Sequence, residues 1–239
     1  MSSVINKVIA IHQPNLFPWL GFFSKIVRSD SFVFLENVKN NPRTAIYTKR
    51  VKIISNAAEY WLTIPLKNKK NELFIPICSM EIDKPDIVAS KHLKTIELNY
   101  KKAPFFNDTF EHVVSFYDNS SSFISQRNID FILAITKGLN IRKEFIKGSE
   151  LNCKSDSTEL LIEILKKLKA SVYLSGDGAG DYQNEELYKS NGINLMFANF
   201  QHPVYPQFNT KEFCKGLSII DVLMNIGFNA TKNLLLSLH

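Results

Sequence analysis

Three stretches of this chain place imidazole, carboxylate and amide groups directly after short apolar runs. The first is His12-Gln13-Pro14-Asn15, which follows Val8, Ile9, Ala10 and Ile11. An imidazole at His12 could take up a proton or donate to an anionic group, since its ordinary pKa lies near ~6.5. It could equally be a hydrogen-bonded histidine that fixes the loop. The second stretch is SGDGAGDY, residues 175 to 182, after Val172 to Leu174. Gly176, Gly178 and Gly180 permit tight turns whose N–H groups can cradle phosphate or sugar. Ser175 and Tyr182 flank them, and Asp177 and Asp181 could orient hydroxyls or accept a proton; the plain alternative is an ordinary strand-to-helix loop. The third is FQHPVYPQF, residues 200 to 208, with His202, Tyr205 and Gln207 between prolines.

Other candidates surround these. Arg43, Lys49, Arg50 and Lys52 alternate with apolar residues and could clamp a diphosphate, or form a solvated strand face. Asn15, Trp19 and Gly21 surround a helix start that Pro18 can open, where free N–H groups favour an anion. Trp19 reads chiefly as packing, and Gly21 as room for close helix–sheet contact. His92, near Lys94, shares a helix face with Tyr100, and a lone helical histidine is commonly structural. No GxxxxGK[ST], G-x-G-x-x-G or GxSxG motif is present, and no metal-ligand spacing stands out.

The elements that must hold these loops follow from periodicity. The apolar run to Ile11 suits a buried parallel strand. Trp19, Leu20, Phe23, Ile26 and Val27 have helical spacing through to Asp30, and Phe32 to Leu35 is a second strand. Tyr47–Ile54 and Tyr60–Leu66 read as antiparallel strands around a turn beginning at Ser55-Asn56, with a third short strand from Phe74 to Ile82. Residues 86 to 139 read as helices, stopping at Gly138 and Asn140. Then come a strand at Lys143–Lys147 and a helix after Asp156, with Glu159 completing a capping-box pattern. A strand at Val172–Leu174, a helix at Glu185–Ser190, a strand at Ile193–Phe197 and a helix at Ser218–Ile226 ended by Gly227 complete the chain. The pattern predicts an α/β fold. It has a mainly parallel, five-stranded, Rossmann-like sheet, helices on both faces, and a small antiparallel and helical insertion at about 40–140 within one domain. The three polar loops then lie at the carboxyl edge, where such sheets bind ligands.

Composition narrows the classes. The chain has 239 residues, 45% of them hydrophobic, enough for a sizeable core. Its net charge of +6 is scattered in short pairs, which favours a small anionic substrate over nucleic-acid readout. Cys78, Cys153 and Cys214 are far apart in sequence, and no leader pattern is evident. A reducing cytoplasm is expected, without disulfides or structural zinc. No apolar run reaches the roughly 18–20 residues of a membrane span.

Several blocks together, IHQPNLFPWLGFFSKIVRSDSFVFLENV, YWLTIPL, HLKTIELNYKKAPFF, YLSGDGAGDY and HPVYPQF followed by LSIIDVLMNIG, resemble the WbqC-like family, in family order and over almost the whole chain. That family occurs in bacterial O-antigen and surface-polysaccharide gene clusters. The resemblance implies a transferase, with a glycine transferase acting on an amino sugar as the proposed precedent. Asn40-Asn41-Pro42 departs from the more basic, aromatic stretch expected there. The opening strand, histidine loop, helix and strand also resemble nucleotidyltransferase-type HUP domains, without their HxGH. The resulting expectation is transfer of a small acyl or aminoacyl group to the amine of a nucleotide-linked amino sugar. The base would be His12 or His202, oriented by Asp181. Arg43, Arg50 and Lys52 would hold the diphosphate, and glycine-loop N–H groups the oxyanion. An activated acyl or aminoacyl donor is implied, and no resident cofactor. Two alternatives stand beside it: an adenylate-forming or nucleotidyl-transferring enzyme needing ATP or CTP with Mg²⁺, and a non-catalytic sugar-nucleotide-binding protein.

Overall fold

A computed structural model describes residues 6–40, 46–67, 75–178 and 184–238. Its elements are β1 (Val8–His12), α1 (Leu20–Arg28), β2 (Ser31–Phe34), α2 (Ile46–Lys49), β3 (Arg50–Ser55), β4 (Ala58–Thr63), α3 (Pro85–Tyr100), α4 (Phe106–Tyr117), α5 (Ile124–Gly138), β5 (Glu144–Lys147), α6 (Ser157–Lys167), β6 (Val172–Ser175), α7 (Glu185–Ser190), β7 (Asn194–Phe197) and α8 (Ile219–Ser237). Five strands form one sheet in the order β5-β2-β1-β6-β7, and every pair is parallel. The chain works outward from β1 through β2 to β5, then crosses back to β6 and β7. Strand order therefore reverses between β1 and β6, and the carboxyl ends of those two strands flank the topological switch point.

The strands bury both faces, as continuous apolar runs require. Ala10, Phe32, Phe34 and Leu174 pack into a core shared with α1, α5 and α8. Ile9, Ile11, Val33 and Tyr173 pack into a second core with Leu160, Ile164 and Leu165 of α6 and Tyr188 of α7. The alternation along each strand thus sends neighbours to opposite helix layers, and the expected doubly wound sheet is present.

Between β2 and β5 lie α2, the β3–β4 hairpin and α3 to α5. The hairpin turns at Asn56 and Ala57, both with positive φ (52° and 60°), the pattern of a type I′ turn that matches strand twist. Helix α3 buries Val88, His92, Ile96 and Tyr100, one every fourth position, so His92 and Tyr100 do share a face.

Several local expectations need correction. Tyr47 to Lys49 form a single helical turn, α2, and the strand starts at Arg50. In place of a third insertion strand, Ile77–Ser79 make a 3-10 turn flanked by isolated bridges, Lys39 to Pro76 and Leu66 to Ile82; Phe74 lies outside the described residues. Pro18 precedes the N-cap, which is Trp19. The Asp156 side chain makes no cap bond. Glu163 instead accepts the N–H groups of Lys154 and Ser155 at 3.0 and 3.1 Å, and these bonds hold its carboxyl down to about pH 2. Gly227 ends only the first part of α8, which resumes and runs to Ser237. Its φ of +74° breaks the helix, and a β-carbon there would lie 2.8 Å from Cδ1 of Phe105.

Candidate functional site

At the switch point a cleft of about 740 Å³ opens along the carboxyl ends of the strands. His12, Gln13 and Asn15 line it after β1, Ser175, Gly176, Asp177 and Gly178 at the end of β6, and Phe200 after β7. Trp19, Phe22 and Lys25 enter from the start and one face of α1. Tyr47, Arg50, Lys52 and Trp61 enter from α2 and the hairpin. All three predicted loops therefore reach this cleft, the third through Phe200 alone, together with one basic segment.

The His12 and Phe22 rings meet in a T-shaped arrangement, centroids 4.9 Å apart. Its Nδ1 lies 2.9 Å from the carbonyl oxygen of Gln13. A carbonyl only accepts, so this bond puts the proton on Nδ1 and leaves Nε2 as an acceptor. Burial, and then the Lys25 charge, push its pKa down to about 3. The imidazole is neutral throughout the physiological range, which makes it an acceptor of hydrogen bonds and a weak base.

Lys25 escaped the sequence reading. It is 4% exposed, and its Nζ donates to the carbonyl of Ile11 at 3.1 Å. The one available signal is its place in LGFFSKIVR, a charge inside a helix whose other residues before Arg28 are, Ser24 apart, apolar. Burial lowers its pKa to about 7, opposed by Asp177. The Asp177 carboxylate accepts the N–H of Asn199 at 2.5 Å and of Phe200 at 2.9 Å. It thereby ties the loop after β6 to the loop after β7.

Asn15 is 5% exposed, and its Oδ1 has no hydrogen-bond partner among the described residues. The loop around it is pinned by Asn128, whose Nδ2 donates to the carbonyls of Pro14 and Thr48 at 3.0 and 2.8 Å. Pro14 acts through that carbonyl and does not line the cleft. On the hairpin, register sets Trp61 opposite Lys52, and the Arg50 guanidinium lies 4.0 Å from the Trp61 ring centroid. Such cation–π contacts hold a guanidinium in place while it stays charged. The buried Nε of Arg50 has no partner among the described residues. Lys52 is engaged with Glu59 at 3.0 Å. Trp61 and Tyr47 are the aromatic members of this wall that sequence alone did not single out.

Trp19 lines the cleft and also packs on its neighbours, and Gly21 does something different from easing helix–sheet contact. A β-carbon at Gly21 would lie 2.4 Å from Cη2 of the Trp19 indole, so the glycine makes room for that ring. Trp19 stacks on His202 at 6.2 Å and meets Phe200 edge-on at 4.9 Å.

The remaining candidates lie away from the cleft lining. His202 sits among Trp19, Phe200, Tyr205 and Phe213, with Nδ1 bonded to the carbonyl of Pro203 at 3.0 Å. Burial lowers its pKa. Tyr100 and Tyr205 donate to Asp221 at 2.8 and 2.7 Å, and Gln207 donates to the Tyr205 hydroxyl at 3.0 Å. All of these groups are recruited to one buried carboxylate on α8, whose own pKa burial raises. His92 is bonded to the Tyr117 hydroxyl at 2.7 Å, and burial lowers it to about 4. Arg43, Asp181 and Tyr182 lie outside the described residues. Among the described residues no group of three or more His, Cys, Asp or Glu side chains is placed to hold a metal ion, and no helix is long and apolar enough to cross a membrane.

A model of the WbqC-like protein family matches residues 13–233. Among curated proteins, the chain is 26% identical over 227 residues to "Uncharacterized protein Rv1507c" of Mycobacterium tuberculosis (strain ATCC 25618 / H37Rv), covering 94% of this chain and 96% of that one. No solved structure matches the chain.

Proposed function

The chain belongs to the WbqC-like protein family, and on that premise we propose that it transfers a small acyl or aminoacyl group, such as glycyl, to the amine of a nucleotide-linked amino sugar in surface-polysaccharide assembly. The observation that carries this reading is the pairing of two kinds of wall in one cleft. The hairpin brings Arg50, Lys52 and Trp61, and the strand ends bring the acceptors of His12 and Asn15. Guanidinium and ammonium groups suit a diphosphate, and indole and phenol rings suit a base or sugar face. The unpartnered Oδ1 of Asn15 and the acceptor Nε2 of His12 suit hydrogen-bond donors, which the amine and hydroxyl groups of an amino sugar supply. The N–H groups of the Gly176–Gly178 loop are the donors for the oxyanion that forms when the amine adds to the acyl carbonyl.

The test is a thermal-shift panel of UDP- and dTDP-linked amino sugars, ATP and CTP, each with and without Mg²⁺, followed by mass spectrometry for N-acylated sugar. A ligand at 100 times its dissociation constant adds about 2.7 kcal/mol, or roughly 5–11 °C for a chain of this size. The expected result is a shift with amino-sugar nucleotides. A shift with ATP or CTP alone, accompanied by pyrophosphate release, would replace this reading with nucleotidyl transfer.

A further inference from the structure

We infer that Lys25 is the group that takes the proton from the attacking amine, and so is a catalytic residue of this cleft; the inference rests on the transfer reading above. An amine that adds to a carbonyl becomes cationic and must lose a proton before the product is stable. His12 is too weak a base to hold it. Lys25 stands where such a base is needed. Its Nζ is bonded to the carbonyl of Ile11 near the end of β1, and a β-carbon built on Gly176 at the end of β6 would lie 3.9 Å from it. The amine group thus sits between the carboxyl ends of the two central strands, at the root of the glycine loop. Among the described residues the carbonyl of Ile11 accepts its hydrogen bond, whereas an ammonium has three protons to place.

The charged groups around it leave that ammonium poorly compensated. From β1 comes His12, neutral. From the loop after β6 comes Asp177, whose two oxygens already accept the N–H groups of Asn199 and Phe200. On α8, packed against α1, the buried carboxylate of Asp221 is held by Tyr100 and Tyr205. On α1 itself, Arg28 donates to the carbonyl of Ala198. A lysine so placed is in part a neutral amine near pH 7, the condition for a base at working pH.

The sugar nitrogen attacks the carbonyl carbon of an acyl or aminoacyl ester, thioester or phosphoric anhydride, and a C–N bond forms. The surplus proton on nitrogen passes to the lone pair of Lys25 Nζ. The C–O or C–S bond to the leaving group then breaks, its electron pair leaving with oxygen or sulfur, and Lys25 returns the proton to that group or to water.

Two measurements on the full chain test this. The first follows the ¹³Cε signals of labelled lysines across pH 5–11, with Lys25 assigned as the signal missing from Lys25→Arg or, if that variant fails to fold, from Lys25→Met. The Lys25 signal is expected to titrate near neutrality, and the surface lysines near ~10.4. A Lys25 signal that titrates with the rest overturns the proposal. The second compares turnover: Lys25→Met is expected to lose at least ~100-fold in kcat, with the acid limb of the wild-type pH profile, and to keep its affinity for the sugar nucleotide. Unchanged turnover in Lys25→Met also overturns it and leaves the transfer reading standing. A wild-type protein that neither binds nor turns over amino-sugar nucleotides sinks the transfer reading and the role of Lys25 as its base together.

Discussion

The Trp19 indole occupies the space that any side chain at Gly21 would need, with a β-carbon there only 2.4 Å from Cη2. Both residues line the cleft, and Trp19 also holds His202 and Phe200. Gly21→Ala must therefore displace the ring. The expected cost is about 1–3 kcal/mol of stability, the usual range for overpacking, read from urea unfolding followed by tryptophan fluorescence. An unchanged midpoint would show that the ring moves freely and does not shape the cleft.

Lys25→Met is expected to raise stability near pH 7 by about 0.5–2 kcal/mol, the range of a typical stabilising substitution, while removing turnover. The sign follows from linkage. Folded, Lys25 loses its proton near pH 7; in the unfolded chain it keeps it to about 10.5. Between those values the unfolded state binds more protons, so stability rises with pH in the wild type. The variant should flatten that rise in denaturation curves taken at pH 7 to 10.5. A steeper or unchanged slope would mean that Lys25 is fully charged in the folded protein.

Acid should destabilise the protein through His92. Its folded pKa is about 4 against an ordinary 6.5, so as pH falls through that window the unfolded chain gains a proton that the folded one refuses. One pKa unit corresponds to about 1.4 kcal/mol, which makes the full window worth roughly 3 kcal/mol. His92→Gln keeps a hydrogen-bonding group beside Tyr117 and cannot titrate. Its stability between pH 6.5 and 4 should fall less than that of the wild type, with the remainder owed to the other histidines whose pKa values burial lowers, His12, His112 and His202.

Arg50→Lys preserves charge but gives up the planar fork and the packing over Trp61. Affinity for UDP- or dTDP-linked amino sugars should fall about tenfold, the equivalent of ~1.4 kcal/mol. Isothermal titration at low and high salt would measure this, and equal affinities at both would count against a phosphate at Arg50.

Tyr205→Phe should cost about 1–3 kcal/mol by removing a donor from the buried Asp221 carboxylate. Sugar-nucleotide affinity should stay unchanged. A large loss of affinity with normal stability would place Tyr205 in the binding machinery after all.

Much of the architecture is legible along the chain because it is written in local periods. Continuous apolar runs at Val8–Ile11 and Phe32–Leu35 can only be satisfied by burial on both faces, and the intervening helical spacing implies a parallel crossover. Tyr47–Lys49 has strand propensity in Tyr and Thr, yet this stretch makes one helical turn against α5. The antiparallel hairpin was legible, since Asn56 tolerates the positive φ its turn demands.

The sequence by itself determined the α/β alternation, the polar loops that follow β1, β6 and β7, and membership in the WbqC-like family. Only the tertiary structure decided which polar groups share a cleft. Tyr100, Tyr205 and Gln207 belong to motif blocks, yet a buried Asp221 on α8 recruits them. Lys25 belongs to an apolar helix, yet the placing of β1 beside β6 puts its amine among the strand ends. The physical reason is that periodicity reports which face of an element is buried, whereas the neighbours that fill that burial come from strand order and long-range packing.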